Sequence, residues 1–172
     1  MEMYGERGFD DTTVAEIAAR AGLTERTFFR HFADKREVLF SGSGLLEQLF
    51  LDAVAATPQS ASPLDAVAAA LDASVGMFEE RREFVAQRQR IIDANPDLQE
   101  RELIKLASLA AKIADALRRR GVADPTANLS AEAGIAVFRI AFARWVDDVE
   151  TQDLGQLISE SFAELRAVTA AA

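Results

Sequence analysis

Apolar residues recur every three or four positions over most of the chain, and no stretch alternates apolar and polar residues as a half-buried strand does. Residues that favour helix, such as Ala, Leu, Glu, Arg and Gln, are abundant. The pattern therefore predicts an all-α fold, with helices near residues 1–7, 14–21, 24–31, 35–56, 63–79, 80–94, 97–120, 126–150 and 152–169.

Capping signals support these helix boundaries. Thr13 followed three residues later by Glu16 is a capping box, and Gly121 after three arginines is typical of a helix C-terminus. Three further starts place an N-cap residue before a proline at the first helical position, where a missing N–H costs nothing. These are Ser62-Pro63, Asn95-Pro96 and Asp124-Pro125.

The segment from residue 8 to residue 40 predicts a helix-turn-helix unit. The apolar residues of the predicted helix 14–21 face one side, and Gly22 ends that helix in a turn. Thr24 then caps a second short helix, whose Phe28 and Phe32 return to the same core. Two short helices joined by a glycine-containing turn are the helix-turn-helix motif.

The second helix of this motif carries donors suited to DNA. Such a helix enters the major groove with its N-terminal residues at base edges, and Arg26 is the candidate for a forked contact with guanine. The alternative is that two arginines on a short helix form an ordinary solvated face. The candidate DNA contacts are Thr13, Thr24, Arg26, Thr27, Phe29, Arg30, His31 and Lys35.

This segment resembles the TetR family of bacterial regulators over about residues 4–40. The matching positions are Gly8-Phe9, Thr13-Val14, Ile17-Ala18, Ala21-Gly22-Leu23, Thr27-Phe28-Phe29, Arg30-His31-Phe32 and Asp34-Lys35. The resemblance implies a dimeric repressor of double-stranded operator DNA, in which the last two helices of each subunit form a four-helix bundle. It also implies a larger C-terminal domain that binds a small-molecule effector.

Two features depart from the family pattern. Many members carry Tyr where this chain has Phe29, and the missing hydroxyl leaves Phe29 to packing or to van der Waals contact with DNA sugars. Only about two helical turns precede Gly8, whereas members usually have a full first helix. We therefore expect the first helix to be truncated.

Charge and composition limit the possible functions. The net charge is −9, yet His31 and four Lys or Arg residues between positions 26 and 36 are opposed only by Asp34, and phosphate-facing cations determine DNA affinity. The chain has no Cys and a single His, so His- or Cys-based catalytic and zinc sites are not expected. We expect no enzyme, cofactor or metal site. Without a signal peptide or a long apolar run, a cytoplasmic protein without membrane contact is expected.

The last two predicted helices carry strong apolar stripes, which indicates that they are covered from more than one side. A partner subunit would cover them, although the same residues could instead complete the core of one subunit. The candidate dimer contacts are Val137, Ala141, Leu154, Leu157, Ile158, Ser161, Phe162 and Leu165.

A ligand pocket is predicted among apolar side chains of the C-terminal helices, each of which could also be plain core. The candidates are Met77, Phe78, Phe84, Arg88, Ile91, Leu109, Ile113, Phe138, Phe142 and Trp145. The stretch from Glu83 to Arg120 resembles the C-terminal domains of mycofactocin-type, acyl-CoA-responsive TetR members. That resemblance implies a long apolar or acyl-type effector.

The sequence thus predicts a helix-turn-helix domain at 1–40 and a helical effector-binding and dimerisation domain at 41–172, joined by a long helix that starts near Lys35. The predicted function is that of a ligand-released repressor on a palindromic operator. The alternative is a helical protein-interaction module whose helix-turn-helix is vestigial.

Overall fold

The structure is a computed structural model, and it describes residues 2–147 and 153–170. Every regular element within these ranges is helical, which confirms the predicted all-α fold. The elements are α1 Glu2–Arg7, α2 Val14–Arg20, α3 Glu25–His31, a 3-10 turn Lys35–Val38, α4 Ser43–Ala56, α5 Pro63–Glu79, α6 Arg82–Asp93, α7 Pro96–Arg119, α8 Asp124–Asp147 and α9 Leu154–Ala170. The predicted helical residues 1, 148–150 and 152 lie outside the described ranges.

The predicted caps account for several of these boundaries. The Thr13 hydroxyl accepts from the Glu16 N–H while the Glu16 carboxylate accepts from the Thr13 N–H, which completes the capping box of α2. Ser62 caps α5 through the N–H of Asp65. Asn95 makes no such cap, because its side-chain amide donates to the Ile91 carbonyl at 2.6 Å.

The predicted long helix from residue 35 to 56 is wrong. Asp34 instead caps a 3-10 turn by accepting from the N–H groups of Arg36 and Glu37, and α4 begins only at Ser43. The break falls at Ser41-Gly42-Ser43-Gly44, where glycine and serine have low helix propensity. The Ser41 hydroxyl also bonds to the Val38 carbonyl, which favours the turn over a continued helix.

The main core lies between the five long helices α4, α5, α7, α8 and α9. Its largest fully buried side chains include Phe50, Leu71, Ile113, Leu117 and Trp145, one or more from each of α4, α5, α7 and α8. Each helix therefore buries a stripe against several others, which is the arrangement that its apolar spacing predicted.

A second, smaller core joins the N-terminal unit to the C-terminal helices. Its buried members are Tyr4, Phe9, Leu39, Phe40, Ile91, Ile92 and Leu98. Because these residues come from α1, the loop after α1, the segment after the 3-10 turn, α6 and the start of α7, the N-terminal unit rests on α6 and α7. No helix in the described ranges is both long and apolar enough to cross a membrane.

Candidate DNA-binding surface and effector region

The turn between α2 and α3 is built from local interactions. Gly22 adopts a φ of 69°, a left-handed conformation that is costly for residues with a Cβ. The Leu23 N–H then bonds to the Ala18 carbonyl at 2.8 Å. Thr24 caps α3 by accepting from the Thr27 N–H, so the hydroxyls of Thr24 and Thr13 both serve as helix caps.

Helix α3 presents cations to solvent and anchors itself by aromatic packing. Phe28 is buried and stacks with Phe32 at a centroid distance of 5.2 Å. Arg26 and Arg30 are exposed, and no carboxylate among the described residues lies within ion-pairing distance of either. A shallow cleft of about 460 Å³ is lined by Arg26, Thr27, Phe29 and Arg30. These four predicted DNA contacts therefore share one accessible surface.

Phe29 is the apolar member of this surface. Its side chain is 54% exposed and meets Phe28 edge-on at 5.5 Å. Beyond it, exposed His31 lies at the end of α3, with its Nε2 atom 3.4 Å from a guanidinium nitrogen of Arg30. An exposed aromatic ring beside exposed cations suits van der Waals contact with sugars or thymine methyl groups.

Lys35 lies differently from its predicted role. Its ammonium donates to the carbonyls of Phe9, Asp10 and Thr12 at 2.8, 3.0 and 3.1 Å, and it sits 4.4 Å from the centre of the Phe9 ring. An ammonium has three donors, and all three are used inside the protein. The structure therefore gives Lys35 the role of holding the loop between α1 and α2, in place of the predicted phosphate contact. Its partners are 23 to 26 residues away, so sequence spacing did not reveal them.

The predicted dimer contacts belong to the core of a single subunit. Their side chains pack against α5 and α7 as well as against each other, which leaves little of their area for a partner. Seven of the eight are buried, namely Val137, Ala141, Leu154, Leu157, Ile158, Ser161 and Phe162, and Leu165 is partly buried against them. The assignment of these residues to a dimer interface is therefore corrected to the alternative, a core within one subunit.

The exposed side of α8 and α9 carries a different apolar set. On α8 the exposed residues Leu129, Ala136, Ile140 and Ala143 are separated by seven, four and three positions, which places them on one stripe. On α9 the exposed small residues Ser159, Ala163, Ala167 and Ala170 lie three or four positions apart. Sequence analysis missed these stripes because the more apolar faces of both helices dominate the pattern.

Six of the predicted pocket residues lie together in the main core. The rings of Phe78, Phe138, Phe142 and Trp145 form a continuous aromatic cluster with successive centroid distances of 5.3 to 5.8 Å. Leu109 and Ile113 of α7 are buried in the same core. Met77 is partly buried one residue before Phe78.

The other three candidates lie elsewhere, which corrects the single pocket predicted from sequence. Ile91 belongs to the smaller core, and Arg88 donates to the Leu39 carbonyl and pairs with Glu102. Phe84 is exposed and lines a cleft of about 600 Å³ between α1, α2 and α6, together with Tyr4. Helical spacing alone did not distinguish residues of the main core from residues that lie near the N-terminal unit.

The aromatic cluster contains one unsatisfied polar group. The indole Nε1–H of fully buried Trp145 has no hydrogen-bond partner among the described residues. A buried donor left unpaired costs about 1–3 kcal/mol. The Arg82 guanidinium lies over the same ring at 4.8 Å and donates to the Trp145 carbonyl at 3.0 Å. The C-terminal core therefore combines an apolar wall with an indole donor that no described residue satisfies.

Comparisons with known proteins agree with this architecture. Residues 1–41 match the family described as bacterial regulatory proteins, tetR family, and residues 61–170 match the MftR C-terminal domain. The chain is 37% identical to the HTH-type transcriptional regulator TcmR of Streptomyces glaucescens over 76 residues, which cover 44% of this chain and 34% of TcmR. It is 29% identical over 168 residues to the putative mycofactocin biosynthesis transcriptional regulator MftR of Mycobacterium tuberculosis, covering 94% of this chain and 83% of MftR.

Two solved structures share the fold. The TetR family regulator PfmR of Thermus thermophilus superposes with a TM-score of 0.50 at 21% identity, covering 96% of this chain and 93% of PfmR. Thermus thermophilus FadR, a TetR family repressor solved with lauroyl-CoA, superposes with a TM-score of 0.60 at 24% identity, covering 95% of this chain and 87% of FadR. Together with the exposed cations of α3, the two family-model matches and the similarity to MftR establish that the chain belongs to the TetR family of transcriptional regulators, with a DNA-binding helix-turn-helix and a C-terminal domain of the MftR type.

Proposed function

We propose that the protein is a dimeric repressor that binds a palindromic operator through α3 and is released by an apolar, acyl-type effector. The observation that carries this proposal is the surface of Arg26, Thr27, Phe29 and Arg30, which is accessible and whose arginines pair with no carboxylate of the described residues. Within the proposal, residues 1–40 bind DNA and residues 41–172 bind the effector and a second subunit.

The exposed stripes of α8 and α9 support dimerisation through those helices. Ile140 and Leu129 are large apolar side chains left in water on α8, and α9 carries a run of exposed small residues that permits close approach of another helix. Arg144 of α8 also pairs with Glu160 of α9, which holds the two helices side by side. A two-fold pairing of this surface buries the same residues twice, as a self-complementary interface requires.

The aromatic cluster supports an effector with a long apolar chain. Phe78, Phe142 and Trp145 offer an apolar wall, and the indole N–H, which no described residue satisfies, can donate to an acceptor such as a carbonyl oxygen. A thioester carbonyl matches these features, in line with the lauroyl-CoA bound by the structural neighbour FadR.

Selection of DNA tests the first half of the proposal. Random-sequence duplexes incubated with the protein should become enriched in a palindrome, and binding to that palindrome should weaken steeply as salt rises. A protein-interaction module with a vestigial helix-turn-helix would enrich no palindrome, and this result would overturn the proposed function.

Fluorescence of Trp145, the only Trp in the chain, tests the second half. Lauroyl-CoA should change this emission, whereas free coenzyme A, which lacks the acyl chain, should not. Linkage requires that operator DNA weaken the ligand by the same factor by which the ligand weakens DNA binding. Equal lauroyl-CoA affinity with and without the selected palindrome would show that this ligand does not release the repressor.

A further inference from the structure

The backbone between the DNA-binding unit and α4 is not one continuous α-helix. The chain leaves the 3-10 turn at Val38 and enters α4 only at Ser43, and the link includes Gly42. Added Cβ atoms at Gly42 and Gly44 would meet nothing within 4 Å, so neither glycine is held by packing. The position of α3 relative to the C-terminal helices therefore depends on side-chain contacts.

Glu37 makes the most direct of these contacts. One oxygen of its carboxylate accepts from Nε and Nη2 of Arg101 at 2.8 and 2.5 Å, and the other accepts from Nζ of Lys105 at 2.9 Å. Arg101 and Lys105 are four residues apart on α7 and thus on one face of that helix. The carboxylate is bound from one side by two cations, which fixes the 3-10 turn against α7.

Burial distinguishes this contact from an ordinary surface ion pair. The Glu37 side chain is only 18% exposed, so water and salt screen it less than a fully exposed pair. Burial of the carboxyl raises its pKa, but the hydrogen bonds and charges of Lys105 and Arg101 outweigh this and hold the pKa of Glu37 below its usual value.

Arg88 of α6 reinforces the same junction. Its Nε donates to the Leu39 carbonyl at 2.8 Å, and its guanidinium lies 4.9 Å from the centre of the Phe40 ring. Its Nη1 also pairs with Glu102 of α7 at 3.1 Å. The end of the DNA-binding unit is therefore held by α6 and α7 through charged side chains as well as through the smaller apolar core, next to the glycine-containing link.

We propose that Glu37 is a positioning residue for operator binding, which sets the separation of the two α3 helices in the dimer by holding the 3-10 turn against Arg101 and Lys105. This inference rests on the proposed function. Two α3 helices read successive major grooves only when their separation matches the spacing of the half-sites. Glu37 thereby determines which half-site spacing the protein accepts, without itself contacting DNA.

A spin-label measurement tests the positioning directly and needs no DNA. The chain has no Cys, so Ala19→Cys, at an exposed position of α2, gives one labelled site per subunit. The label-to-label distance in the dimer should show one narrow distribution, and Glu37→Ala should broaden it. Glu47→Ala is the matched control, since Glu47 of α4 pairs with Lys112 of α7 within the C-terminal domain. An unchanged distribution in Glu37→Ala, or equal broadening in Glu47→Ala, would overturn the inference.

Half-site spacing provides the second test. The palindrome selected by the wild-type protein is resynthesised with one base pair more and one base pair fewer between its halves. Glu37→Ala should bind the duplex with the original spacing more weakly than the wild-type protein does, but should discriminate less against the two duplexes with altered spacing. A variant that is merely less stable would bind all three duplexes more weakly by the same factor. Uniform weakening would overturn the role.

A variant cycle separates positioning from loss of folding. The double variant Arg101→Ala/Lys105→Ala should show the same reduced discrimination among half-site spacings. Adding Glu37→Ala to it should not reduce this discrimination further, because the partners of Glu37 are already absent. Glu37→Gln keeps the shape of the side chain, and it replaces Glu37→Ala in these measurements if Glu37→Ala does not fold. If the wild-type protein enriches no palindrome, the proposed function fails while the spin-label distances still decide the role of Glu37.

Discussion

Single side chains in the DNA-binding unit divide into those that face outward and those that hold the unit together. Arg26, Phe29 and Arg30 are exposed on α3, whereas Lys35 is fully engaged with backbone carbonyls of the loop before α2. Tyr4 has a comparable structural role, since its hydroxyl donates to the Lys35 carbonyl at 2.8 Å. Both Lys35 and Tyr4 thus join α1 to the 3-10 turn.

Tyr4 should titrate abnormally in the native protein. Burial, and to a lesser extent the nearby charge of Asp34, raises its pKa from 10.0 to about 12. Folding favours the neutral phenol, so Tyr4 contributes to the free energy of unfolding below pH 10. This contribution to stability is lost as pH rises towards 12. Tyr4 is the only Tyr, so tyrosinate absorbance reports on it alone. Titration near pH 10 in native protein, as expected only in denaturant, would contradict this burial.

Arg26 and Phe29 should affect DNA binding in different ways. Arg26→Ala should cost about 1–3 kcal/mol on the selected palindrome and relax the base preference at one position per half-site. Phe29→Tyr should instead tighten binding to all duplexes alike, since a hydroxyl on this 54% exposed ring gains a phosphate acceptor. Affinities for matched and mismatched duplexes distinguish the two. Identical patterns for both variants would contradict the division into base contact and backbone contact.

At the level of elements, the breaks between helices follow from glycine and serine positions. Gly22 ends α2 with a positive φ, and the link that ends in Ser41-Gly42 separates the 3-10 turn from α4. These two breaks differ in their backbone requirement, because Gly42 has an ordinary φ of −81°. Only the first break needs glycine for its conformation.

Alanine substitution should therefore separate the two glycines. Gly22→Ala should destabilise the protein by about 1–2 kcal/mol, the usual cost of a left-handed residue with a Cβ. Gly42→Ala should be neutral or stabilise by up to about 1 kcal/mol, since its φ suits alanine and its Cβ would meet nothing within 4 Å. Urea unfolding measures both free energies. Equal destabilisation by the two changes would show that the turn conformation is not the cause.

For the whole molecule, the arrangement of α8 and α9 determines which surface remains for a partner. Their most apolar faces pack against α5, α7 and each other inside one subunit. What remains exposed is a milder stripe with Ile140 and Leu129, flanked by small residues. A dimer formed there would present two copies of α3 on the same assembly, which a palindrome requires.

Ile140→Glu should convert the protein into a monomer. The substitution places two like charges at the proposed two-fold interface, where each is costly to remove from water. Ile104→Glu is the matched control, because Ile104 of α7 is 51% exposed, close to the 56% of Ile140, but lies outside α8 and α9. Sedimentation velocity should show a monomer for the first variant and a dimer for the second. A dimer in both would place the interface elsewhere.

Local sequence determined the helix-turn-helix and most helix boundaries. The caps, the turn and the aromatic contact of this unit join residues no more than four positions apart, so their spacing predicts their structure. The residues are Thr13 with Glu16, Gly22, Thr24 and buried Phe28. The family resemblance of this segment was readable for the same reason and is confirmed by the match over residues 1–41.

Tertiary packing decided what local spacing left open. The burial of Leu157 and Phe162 inside one subunit, the carbonyl partners of Lys35 and the ion pairs of Glu37 all join residues far apart in the chain. An amphipathic stripe specifies that a helix face is covered, but not whether a neighbouring helix or a second subunit covers it. Likewise, a charged side chain acquires its role from the groups that folding brings to it, which sequence spacing does not encode.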